Sequence, residues 1–262
     1  MFQEFAQTAE AVGQVSSRLE KARLLGEYFA ALTDADLERA ALYFGGHLFP
    51  LREGRTVNIG GAALFAAIRD VTGADEDFLR ERLVARGDHG DVALEAYDKW
   101  PEAPVQSEMT LEEVESFIAK LAATSGSKAK TGAVQAMLQH LTGPEAKYLV
   151  KMLAGDLRIG LKEGAVEDAL ARLAGQPVGQ VQRANMLTGD LGQVALLARH
   201  GQLETAKFAL FHPLKLMLAT PAADLEDVAK QMPESFVVED KFDGIRAQVH
   251  VAPHVKSDEV LH

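Results

Sequence analysis

The sequence predicts a mainly α fold, a two-lobed all-helical domain followed by a small β-hairpin fragment. Three observations carry that prediction. Apolar residues recur at helical spacing through the first two hundred residues. Glycine-containing breaks separate these stretches every 12 to 18 residues. Strand signals are nearly absent before residue 235, after which two short alternating runs flank an Asp-Gly turn.

In chain order, Leu25, Tyr28, Phe29 and Leu32 fall at i, i+3, i+4 and i+7, one apolar stripe. Leu111, Val114, Ile118 and Leu121 repeat the pattern behind Thr110, and Glu113 three places on completes a capping box. Thr142, with Pro144 and Glu145 after it, opens a helix carrying Leu149, Met152 and Leu153. Val166, Ala169, Leu170 and Leu173 form the next stripe. The segment "HPLKLMLATP" carries Pro213 and Pro221 and reads as a linker, followed by a short helix in "AADLEDVAKQM". Phe236 to Glu239 and Ile245 to Val251 read as two strands around Phe242-Asp243-Gly244. The expected domains are 1–212 and 213–262.

The helical part is written twice. "NIGGAALFAAI…ARGDHGDVA" (58–93) parallels "RIGLKEGAVEDAL…LTGDLGQVA" (158–195). In each copy an Ile-Gly pair precedes a helix, and a Gly-Asp-x-Gly-x-Val-Ala turn follows 27 to 29 residues later. Glycines flanking Asp88 or Asp190 suit a helix stop and a new N-cap, because glycine tolerates positive φ and Asp accepts backbone N–H bonds. The copies are expected as two lobes joined through "KWPEAPVQSEMT" (99–110).

At 47% apolar and 25% charged, the 262-residue chain has the balance of an ordinary globular protein. It has no cysteine, so disulfides and thiolate metal sites are excluded. "MFQEFAQTAEAVGQ" has no basic segment before an apolar core, and no run approaches a membrane span, so a cytoplasmic location is expected. The net charge of −11 argues against nucleic acid, yet residues 120–163 alone carry +4.

One stretch near the end carries chemistry. Lys241-Phe242-Asp243-Gly244-Ile245-Arg246 sets a lysine at the end of one run, beside a glycine turn. A lysine attacks phosphorus only when neutral, so its pKa must be lowered by desolvation or by neighbouring cations. The motif resembles that of the covalent nucleotidyltransferases: DNA ligases, RNA ligases and capping enzymes. The resemblance implies Lys241 as the nucleophile that carries AMP, with Glu239, Asp243, Gly244 and Arg246 binding the nucleotide, and ATP and Mg²⁺ as cofactors. "PLKLMLA" (213–219) is similar to the segment that leads into the adenylation domain of ATP-dependent DNA ligases, with Leu216 in place of the usual second proline.

Upstream, "GDLRIGLKEGAVEDAL" (155–170) resembles a characteristic segment of the ligases' helical DNA-binding domain, and "SGSKAKTGAV" (125–134) its backbone-gripping turn. RNA ligases and capping enzymes lack such a domain. The chain is therefore similar to ATP-dependent DNA ligases from residue 1 to about residue 250. That implies roles in DNA repair, replication and recombination, with duplex or nicked DNA held independently of sequence. The expected DNA contacts are Ser125, Ser127, Lys128, Lys130, Thr131, Arg158, Gly160 and Lys162, since Gly/Ser turns and helix N-termini present N–H groups to phosphate oxygens. Trp100 reads as a packing residue.

The last residues, "VAPHVKSDEVLH", do not resemble the family's continuation, and His254, Asp258, Glu259 and His262 lack ligand spacing, so no metal site is expected. The chain is expected to be truncated, with an incomplete catalytic core that neither seals nicks nor takes AMP on Lys241 unless a repair partner supplies the missing functions. The alternative is a non-catalytic DNA-repair accessory or a helical scaffold module.

Overall fold

Helix caps and apolar stripes place the elements where the periodicity does. In the computed structural model, residues 1–215, 221–240, 243–244 and 247–251 are described; Lys241, Phe242, Ile245 and Arg246 lie outside them. The described residues form thirteen α-helices and no strand. These are α1 (Phe2–Gln14), α2 (Arg18–Ala31), α3 (Asp34–Phe44), α4 (Gly61–Thr72), α5 (Glu76–Arg86) and α6 (His89–Tyr97). There follow α7 (Leu111–Ala123), α8 (Ser127–Leu138), α9 (Gly143–Ala154), α10 (Glu163–Ala174), α11 (Val178–Thr188), α12 (Leu191–Arg199) and α13 (Leu225–Gln231).

The capping box at Thr110 forms as the sequence predicts, and the helix expected behind Thr142 opens there. Glu113 accepts from the Thr110 N–H at 2.8 Å, and Thr110 Oγ1 accepts from the Glu113 N–H at 3.1 Å. Glu145 accepts from the N–H and the hydroxyl of Thr142 at 2.8 and 2.7 Å. The predicted stripes are buried: Leu25 and Phe29, then Val114, Ile118 and Leu121, then Val166, Ala169 and Leu170. Trp100 sits edge-on to Tyr97 at 5.3 Å against the core, a packing role.

The duplication is larger than the two quoted segments. Helices α1 to α6 correspond in order to α7 to α12. Asn58 and Arg158, each just before its Ile-Gly pair, share a left-handed backbone with φ of 45° and 51°. Asp88 and Asp190 each cap the following helix through side-chain bonds to its first-turn N–H groups.

The copies do not pack as two separate lobes joined through 99–110. They interlock: α2 packs on α10 and α8 on α4, α3 on α12 and α9 on α6, α1 on α9 and α7 on α3. Periodicity says which face of a helix is buried, not which helix buries it, and two copies with equivalent faces satisfy the same stripes by exchange. The second glycine of each Gly-Asp-x-Gly turn serves this exchange. A Cβ on Gly90 would lie 2.5 Å from the Lys147 carbonyl oxygen of α9, and one on Gly192 would lie 2.9 Å from the Glu38 carbonyl oxygen of α3. The first glycine of each turn does adopt positive φ, 64° at both Gly87 and Gly189.

The expected hairpin is not seen among the described residues. Residues 236–240 and 247–251 form no strand, and Val237, Val238 and Val249 are exposed. Two short strands are marginal in water without a third to pair with, and none is present among the described residues. The helix expected in 222–232 forms as α13, capped by Asp224, with none of its residues buried.

Candidate nucleic-acid interface

Two equivalent junctions of helix N-termini hold the residues that the sequence singles out. In the first, Gly60 and Gly126 are the N-caps of α4 and α8, and neither offers a side chain to the first-turn N–H groups. Those donors are left for another acceptor. Asn58, Ile59, Gly60, Gly126, Ser127 and Lys130 line a small cavity of about 140 Å³ between them. Ser125, Ser127 and Lys128 are exposed, and Thr131 is half-buried.

In the second, Arg158 and Gly160 form a left-handed turn into α10, with φ of 51° and 60°. The Arg158 N–H bonds Asp156 Oδ1 at 2.7 Å, and Lys162 is an N-cap without a side-chain bond. Lys21, fourth in α2, donates to the Ile159 carbonyl at 2.5 Å. Lys130, fourth in α8, donates to the Val57 carbonyl, and to that of Asn58 at 3.2 Å. Each copy thus uses a buried lysine to hold the other copy's Ile-Gly turn. The Asn58 turn and the residues leading into the Arg158 turn, Met152 to Gly155, line one open cleft of about 450 Å³.

Three lysines that count as surface cations in the sequence, Lys130, Lys147 and Lys151, are held by other groups in the fold. Lys130 is buried, with its ammonium spent on backbone carbonyls, so it shapes the turn and does not face solvent as expected. Lys151 is buried against Asp88 at 2.9 Å and Asp91 at 3.2 Å. Lys147 pairs with Glu10 at 2.7 Å. The +4 of residues 120–163 is therefore partly neutralised by carboxylates brought in from α1 and from the start of α6. Lys128 and Lys162 remain exposed and form no ion pair among the described residues. Arg158 is exposed as well, its guanidinium donating to the Gly87 carbonyl at 2.5 Å and lying 3.5 Å from Asp88. Burial alone would raise the Asp88 pKa, but Lys151, the Asp91 N–H and Arg158 outweigh it and hold the carboxyl below its usual range.

Glu163, first in α10, is a second strongly held carboxylate. Burial again pushes its pKa up, but His47, Lys215 and Asn185 bring it down to about 2 from an ordinary 4.5. A pKa depressed on folding contributes stability that is complete above the unfolded value and is lost as pH falls through the folded one. Acid titration of Glu163→Gln beside the wild type is therefore expected to show their stability difference shrinking between about pH 4.5 and pH 2. A difference that is constant across that range would contradict it.

Of the nucleotide-binding candidates, Glu239, Asp243 and Gly244 are exposed, while Lys241 and Arg246 lie outside the described residues, as do His254, Asp258, Glu259 and His262. Among the described residues there is no group of three or more His, Asp or Glu that could hold a metal ion. No described helix is long and apolar enough to cross a membrane.

A family model described as the N terminus of DNA ligases matches residues 1–171. The chain belongs to the ATP-dependent DNA ligase family. It is 40% identical over 250 residues to a probable DNA ligase of Koribacter versatilis, covering 95% of this chain and 43% of that protein. Against a probable DNA ligase of Opitutus terrae the identity is 32%, covering 95% and 31%. Against a DNA ligase of Methanobrevibacter smithii it is 31%, covering 95% and 46%. The chain spans less than half the length of these ligases. In this member of the ligase family, Asn58, Gly60 and Lys21 join the candidate interface although the sequence reading passed over them. The signal was present: Asn58-Ile59-Gly60 repeats Arg158-Ile159-Gly160.

Proposed function

We propose that this ligase-family chain grips duplex or nicked DNA by its sugar–phosphate backbone, without reading sequence. The observation that carries this is the pair of equivalent turns, each beside a helix N-terminus with no side-chain cap, flanked by the exposed Lys128, Arg158 and Lys162. N–H groups and helix dipoles aimed outward favour phosphate oxygens, which are the same for every base pair. Lys130 and Lys21 act by holding the turns in shape.

Within this reading, residues 213–262 begin the adenylation domain. Lys241 would take AMP from ATP, with loss of its proton and of pyrophosphate, and Glu239, Asp243, Gly244 and Arg246 would bind the nucleotide. DNA joining in repair, replication and recombination is the proposed setting, in the cytoplasm, with a repair partner supplying functions that these residues lack.

The test is binding to unrelated labelled duplexes across a salt series. If three phosphates are neutralised, log K is expected to fall against log salt with a slope of about −3. Lys128→Ala/Arg158→Ala/Lys162→Ala is expected to flatten that slope at unchanged helical content. Absence of binding at low salt, a strong sequence preference, or the same slope in the variant would defeat the proposal.

A further inference from the structure

Residues 213–215 lie across the ends of two helices of the helical domain. The Lys215 N–H bonds the Met186 carbonyl of α11 at 3.1 Å, and its ammonium meets Glu163 Oε1 at 2.5 Å. Glu163 Oε1 also accepts from the buried Asn185 amide at 2.6 Å, and Oε2 faces His47 Nε2 at 3.4 Å. The Pro213 carbonyl oxygen lies 2.7 Å from where a Cβ on Gly189 would sit, so a bare backbone at that turn is what lets the segment seat. The Lys215 and Glu163 side chains are 15% and 31% exposed, which removes this pair from the class of freely solvated ion pairs that contribute little.

The residues after the lysine motif attach to this same segment. The Gln248 side-chain amide accepts from the Leu214 N–H at 2.8 Å and donates to the Leu214 carbonyl at 2.6 Å. His250 Nδ1 accepts from the Phe211 N–H at 2.9 Å, with its ring beside Phe208 and Phe211. The arrangement breaks the internal symmetry. The first residue of α4, in the place that Glu163 takes in α10, is Gly61, which has no carboxylate to offer. Duplication alone does not account for the acceptor.

We propose that the helical domain carries a built docking site for its own following segment, in which Glu163 clips Lys215 and so fixes where residues 248–250, which bond the same segment, are held. Glu163 and Lys215 are positioning residues. Because Glu163 follows Lys162 directly, the clip ties the segment to the turn assigned above to DNA. That link rests on the proposed DNA reading; the clip itself does not.

Residue-by-residue amide exchange of the full chain without DNA tests it. In Lys215→Met and in Glu163→Gln, the amides of Lys215 and Leu214 are expected to exchange about tenfold faster or more, with α6 and α9 unchanged. The double variant is expected to loosen them no further than either single one, and Lys215→Arg to keep them protected. Unchanged protection in Lys215→Met, additive loosening in the double variant, or loss spread over α10 and α11 in both single variants would overturn the clip. Duplex affinity is measured separately, so failure of DNA binding is told apart from failure of the clip.

Discussion

Replacing Lys151 by Met is expected to destabilise the folded chain by about 3–5 kcal/mol. Its ammonium lies in the interior between Asp88 and Asp91, 2.9 and 3.2 Å away, and both Lys151 and Asp88 are almost fully enclosed. Removing the cation leaves a buried carboxylate short of its main partner. Asp88 cannot swing away to water, because its Oδ1 also accepts from the Asp91 N–H at 2.9 Å as the cap of α6. Denaturant unfolding of Lys151→Met beside Lys151→Met/Asp88→Asn checks this. The double variant should recover much of the loss, since removing both charges costs less than orphaning one. A loss below about 1 kcal/mol in the single variant would return Lys151 to the surface charges among which the sequence alone places it.

Gly90→Ala is expected to cost about 3 kcal/mol, at the upper end for an overpacked interior. The new methyl would stand 2.5 Å from the Lys147 carbonyl oxygen and 2.5 Å from Lys151 Cγ. The oxygen belongs to the backbone of α9 and cannot rotate aside, so α6 and α9 must separate along the contact that joins the two copies. Gly132→Ala in α8 is the control. Nothing lies within 4 Å of its Cβ position, so it should stabilise by about 0.4–1 kcal/mol through helix propensity and a less flexible unfolded chain. Equal and small effects at both positions would mean that α6 and α9 are not held this closely.

Much of the fold was legible because its signals are local. A helix boundary depends on a cap and its third residue, so Thr110 with Glu113, and Thr142 with Glu145, were readable from four consecutive positions. The buried stripe of α2 or α10 depends only on spacing within one helix. The repeated Ile-Gly and Gly-Asp-x-Gly turns were visible as well, and with them the candidate interface at Ser127, Lys128, Arg158, Gly160 and Lys162. The Lys241 motif was also plain in the sequence, as six adjacent residues.

What the sequence could not decide is which groups from far apart meet. Tertiary structure set α2 against α10 and α8 against α4, because equivalent apolar faces fit either copy and only packing selects between them. It also decided the fate of the charge. Lys130, Lys147 and Lys151 count as cations in any local sum, yet folding brings Val57, Glu10 and Asp88 to them from 73, 137 and 63 residues away. A side chain's formal charge is local, whereas its solvation and its partners belong to the packed whole. The same lysine is therefore a surface cation in the sequence and an interior strut in the fold.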